Sequence, residues 1–119
     1  MAYNTTHTDV VSICSVPMQF AEGTVTYDAT AITTTDYTRI ACGFKPRYIR
    51  WLNLTDRIQI EWWEGMTASQ NLRTVAAGTR TLDTTASAVV VDDRGFSILQ
   101  DGTLAAILAS KTCVFEARA

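Results

Sequence analysis

The stretch Arg47-Tyr48-Ile49-Arg50-Trp51-Leu52-Asn53-Leu54-Thr55-Asp56-Arg57-Ile58-Gln59-Ile60-Glu61-Trp62-Trp63-Glu64-Gly65 decides how this chain is read. In its second half Ile58, Ile60 and Trp62 alternate with Arg57, Gln59 and Glu61. Successive side chains of a strand point to opposite faces, so a period of two predicts a strand with one dry face. The first half, opened by Pro46, carries the aromatic and β-branched types that suit a pleated surface. Thr55-Asp56 between the halves has turn chemistry. The two runs predict a β-hairpin at the centre of the domain, with Ile49, Trp51, Ile58, Ile60 and Trp62 in the core. Tyr48 and Arg50 then fall on the opposite face, and Trp63 points away from the core beside Glu61.

Outward from the hairpin the signals remain short and strand-like. Upstream, residues 23–28 and 36–42 read as strands around a Thr-rich loop. Downstream, Ala77-Gly78 divides a second small hairpin, and residues 88–91 form a strand. Asp92-Asp93-Arg94-Gly95 is a turn into residues 95–99, which send Phe96 and Ile98 to the core. Asp101 or Thr103 is placed to cap one short helix carrying Leu104, Ile107 and Leu108. Residues 112–118 close the chain as a strand, with Cys113, Phe115 and Ala117 on one face, and Val114 and Phe115 are both assigned to the core. Many short strands with turn residues between them predict an all-β fold, an antiparallel β-sandwich or jelly roll with at most one short helix.

The N-terminal segment, residues 1–22, is expected to be an extended arm or a first strand, ahead of a single domain over residues 23–119. Val10, Val11, Ile13 and Val16 form a strand-like apolar run stopped by Pro17. One reading is a frayed terminus. The other is a strand added to a neighbouring subunit's sheet edge.

Composition narrows the function classes. The chain of 119 residues suits one domain with a real core. Nineteen threonines keep strands polar without adding charge. Net charge is −2, and alternation splits the loose basic stretch Lys45-Pro46-Arg47-Tyr48-Ile49-Arg50 between two faces, which counts against nucleic acid. No apolar run approaches a membrane span, and no secretory signal pattern opens the sequence. Cys14, Cys42 and Cys113 lie far apart among apolar neighbours, so they read as small buried hydrophobes rather than zinc ligands.

Catalytic patterns are missing. His7 is the sole histidine and lies in the polar arm, a poor place to hold a base in position. Glu61 and Glu64 are three apart on a strand and point to opposite faces. Asp92-Asp93 suits a turn better than a calcium site. No cofactor, metal or catalytic residue is expected. Trp63 and Arg50 remain as interface candidates, since Trp and Arg are enriched where proteins meet. A sugar-stacking platform at Trp63 or Trp51 and simple cover by the chain's own loops are the alternatives.

The segment Gly43-Phe44-Lys45-Pro46-Arg47-Tyr48-Ile49-Arg50-Trp51-Leu52-Asn53, with Trp62-Trp63-Glu64-Gly65-Met66, Gly95-Phe96-Ser97-Ile98 and the ending Phe115-Glu116-Ala117-Arg118-Ala119, resembles small virion proteins of tailed bacteriophages. The resemblance covers the latter two-thirds of the chain, and its motifs are structural. It implies a non-enzymatic capsid decoration or cement protein, or a small tail or fibre-associated component. Such a protein would be made in the host cytoplasm and carried on the virion. Its partners would be a major capsid protein or another virion protein, and it would assemble as a homodimer or homotrimer. A carbohydrate- or ligand-binding β-sandwich module is the alternative that stands outside the virion.

Overall fold

The computed structural model describes residues 19–31, 36–67, 69–100, 107 and 109–119. All its elements are strands: β1 (Phe20–Thr26), β2 (Tyr37–Ala41), β3 (Tyr48–Asn53), β4 (Ile58–Trp63), β5 (Asn71–Thr74), β6 (Arg80–Asp83), β7 (Val89–Asp92), β8 (Gly95–Leu99) and β9 (Thr112–Arg118). They form a six-stranded sheet in the order β1-β9-β3-β4-β5-β6 and a three-stranded sheet in the order β2-β8-β7. Every strand pair is antiparallel. The expected all-β, sandwich-like fold is present. The expected arm residues up to 18 and most of the expected helix lie outside the described residues, although Ile107 is buried.

The central hairpin forms in the register that alternation demands. Ile49 stands opposite Trp62, Trp51 opposite Ile60, and Asn53 opposite Ile58. β9 lies on the other side of β3, with Ala117, Phe115 and Cys113 opposite Ile49, Trp51 and Asn53. Facing residues on paired strands project to the same side, so one inner face collects these side chains. Across from it Phe96 and Ile98 of β8 are fully buried. Phe115 joins the two layers: its ring stacks on Trp51 at 5.9 Å and meets Phe96 edge-on at 5.7 Å. Gly23 of β1 lies opposite Phe115, and a Cβ there would come within 2.9 Å of that ring. The glycine is what lets the aromatic side chain lie across β1.

Two core assignments need correction. Val114 stands opposite Leu52 and Thr24, on the outer face and away from the core. Three apolar residues in a row, Cys113-Val114-Phe115, hide the period, and only alternate ones can face inward. Ile58 is on the inner face but only half-buried, because it opens β4 beside the turn at residues 54–57. Trp62 is half-buried and packs against the core, as does Phe115.

The turn is anchored by a residue the sequence reading passed over. Asn53 is fully buried, and its Oδ1 accepts from the backbone N–H groups of Thr55 and Asp56, both at 3.1 Å. Its Nδ2 donates to the Asp56 carboxylate at 3.0 Å. An asparagine side chain substitutes here for a backbone turn, which is the general reason Asx residues start turns.

Candidate interaction surface

Pairing lines up the outer face of the six-stranded sheet in transverse rows. The first row is Phe20, Arg118, Tyr48 and Trp63. The second is Glu22, Glu116, Arg50, Glu61, Leu72 and Leu82. The third is Thr24, Val114, Leu52, Gln59, Thr74 and Arg80. No described residue packs over this face as a further layer: Phe20 is 48% exposed, Trp63 40% and Leu82 51%. Trp63 and Arg50 therefore share one surface. Val10, Val11, Ile13 and Val16 lie outside the described residues.

The aromatic row is held together internally. Tyr48 and Trp63 rings meet at 5.2 Å with a tilt of 54°. The Arg118 guanidinium lies 4.4 Å from the centre of the Tyr48 ring, within cation–π range. Arg118 and Tyr48 were not singled out from the sequence. The alternation of Tyr48 with Ile49 carried the signal for one, but only the β3–β9 register brings Arg118 onto it.

Beneath this row Glu61 is the most buried charge on the face. It accepts from the Tyr48 hydroxyl at 3.0 Å and from Gln59 Nε2 at 2.8 Å, and pairs with Arg80 at 3.3 Å. Burial, and after it donation to Glu61, raises the Tyr48 hydroxyl above its ordinary value of 10.0. The network ties β3, β4 and β6 together and holds Tyr48 upright beside Trp63. Next to it runs a groove of about 410 Å³, with Glu22, Arg50, Leu52, Val114 and Glu116 among its walls. Glu22 and Glu116 stand directly opposite one another, and Arg50 reaches Glu116 only at 3.9 Å. The face thus carries three arginines and three glutamates rather than a basic stripe.

Among the described residues, no group of three or more His, Cys, Asp or Glu side chains is placed to hold a metal. Asp92 is taken up by Arg39, whose guanidinium keeps its carboxyl below the ordinary range, with help from the Arg94 backbone N–H. Cys113 is buried and its thiol is pushed up to about 11 by that burial, so it is a poor nucleophile. Cys42 is half-buried, and neither of these two cysteines is in a disulfide among the described residues. Comparison with known proteins found no matching family model, no matching curated protein and no matching solved structure.

Proposed function

We propose that this chain is a non-enzymatic virion structural protein, a capsid decoration or cement protein, that docks on a shell protein through the outer face of its six-stranded sheet. The observation that carries the reading is the uncovered aromatic row, in which Trp63 and Phe20 flank the Arg118–Tyr48 pair. Buried interfaces draw most of their energy from aromatic and arginine anchors of this kind. The groove beside the row adds apolar walls at Leu52 and Val114 within a charged rim. The likeness of residues 43–53 to phage virion proteins supplies the biological setting. The near balance of charge on the face disfavours nucleic acid as the partner.

The test is binding to capsids prepared without the protein, followed by co-sedimentation. Trp63→Ala is expected to weaken capture at least about ten-fold while lowering stability by less than about 1 kcal/mol, because the side chain lies outside the core. Undiminished capture by Trp63→Ala and by Tyr48→Ala would remove this face from the function. Capture by isolated tails in place of capsids would move the protein to the tail. Quenching of tryptophan fluorescence by oligosaccharides, lost in Trp63→Ala, would favour the ligand-binding module.

A further inference from the structure

The outer edge of β1, which no other described strand pairs, leads to an inference that does not depend on the docking face. β1 pairs with β9 over all seven of its residues, without a bulge. The Tyr27 N–H donates to the Lys111 carbonyl at 2.9 Å and the Ala119 N–H to the Gln19 carbonyl at 3.0 Å, so the ladder continues one step beyond each end. In an antiparallel pair, hydrogen-bonded positions alternate with positions whose N–H and C=O point the other way. Gln19, Ala21, Gly23, Val25 and Tyr27 are thus spent on the β9 side. Phe20, Glu22, Thr24 and Thr26 present their N–H and C=O groups to the open edge.

Such an edge invites another strand unless lysine, proline, a bulge or shortness defends it. The other sheet edges are shorter and charged: β2 has five residues with Arg39, β6 four with Arg80 and Asp83, and β7 four with Asp92. β1 has seven residues and one charge, Glu22. Immediately before it in the chain lies the run Val10-Val11-Ser12-Ile13-Cys14-Ser15-Val16, equal in length to β1 and free of charge and proline.

The chain's own run cannot reach the edge by a tight reversal. A two-residue hairpin loop at Pro17-Met18 would need positive φ at its first residue, which the proline ring forbids. A three-residue loop through Gln19 would need that residue left-handed. Gln19 is instead already paired with Ala119, and among the described residues the left-handed non-glycine positions are Arg57, Ser87 and Ser110. Longer loops would take residues from the run and leave it shorter than β1. We infer that the open edge of β1 receives the 10–16 segment of a second copy of this chain, so that the protein assembles by exchanging N-terminal strands.

Sedimentation velocity on the full chain, on a chain lacking residues 1–16 and on Thr24→Pro tests this. The Thr24 N–H faces the open edge, so proline there spares the β9 ladder. The expected result is a mass of two or more chains for the full protein and of one chain for both variants, each still melting cooperatively. Amide hydrogen exchange gives a second readout that does not rely on Thr24→Pro folding. The Glu22 and Thr24 amides should exchange at least about ten-fold faster in the truncated chain, with Gly23 and Val25 unchanged. A monomeric full chain, a truncated chain that keeps the oligomer, or equal exchange at Glu22 and Thr24 in both chains overturns the inference. Particle binding plays no part in these readings, so they stand or fall apart from the proposed function.

Discussion

Along β3 the side chains of Ile49, Trp51 and Asn53 are wholly buried, whereas Tyr48, Arg50 and Leu52, one step away on the same strand, remain half-buried or exposed. The inner face is determined by packing: Trp51, Phe115 and Phe96 interlock, and each leaves room only for its neighbours as they are. The outer face is determined by pairing, with ion pairs and an aromatic row joined across strands and nothing described above them. A substitution on the inner face should therefore be read in stability, and one on the outer face in binding. Trp51→Ala should break this contrast most visibly, with a loss of about 3–5 kcal/mol in denaturant unfolding. Val114→Ala, apolar but on the outer face, should cost under about 1 kcal/mol. Equal costs at the two sites would mean the faces are wrongly assigned.

Asn53 belongs to the buried face but works through hydrogen bonds, so it tests whether that face is uniform. Removing its side chain leaves the Thr55 and Asp56 N–H groups without their acceptor, although water at the turn can replace part of it. Asn53→Ala should cost about 1–3 kcal/mol, less than Trp51→Ala, and Asn53→Asp should not restore the loss, because a carboxylate oxygen would then face the Asp56 carboxylate where Nδ2 now donates. A loss as large as that of Trp51→Ala would show that the turn, rather than the aromatic packing, holds the hairpin.

The hairpin was legible because alternation over Ile58, Ile60 and Trp62 admits only one strand face. The same logic identified Phe96, Ile98 and the outward Trp63. It failed at Val114, where an unbroken apolar triplet offers no period, and at Ile58, where strand-end exposure is invisible to pattern. The candidate surface was only half legible. Trp63 and Arg50 announce themselves by type and phase, but Arg118 and Phe20 join them through pairing between residues far apart in sequence. The buried acceptor role of Asn53 was hidden because Thr55-Asp56 alone already explained a turn.

The smallest expected effect lies at the seam between the faces. The Tyr48 hydroxyl is raised above 10.0 first by burial and then by donating to Glu61, and Tyr27 is raised too, chiefly by burial. A tyrosine with a raised folded value holds its proton while the unfolded chain has begun to lose it. Its contribution is complete below the unfolded value and is lost as pH rises through the folded one. Thermal transitions should accordingly fall as pH rises past about 10. Cys113, pushed up to about 11, adds a loss of the same sign. Tyr48→Phe should flatten the decline without abolishing it, since Tyr27 and Cys113 remain. The change should be modest because Tyr48 is partly open to solvent, which screens its interaction with Glu61. If Tyr48→Phe leaves the decline unaltered, the Tyr48–Glu61 bond contributes nothing to holding the aromatic row in place, and the outer face is more weakly organised than its geometry suggests.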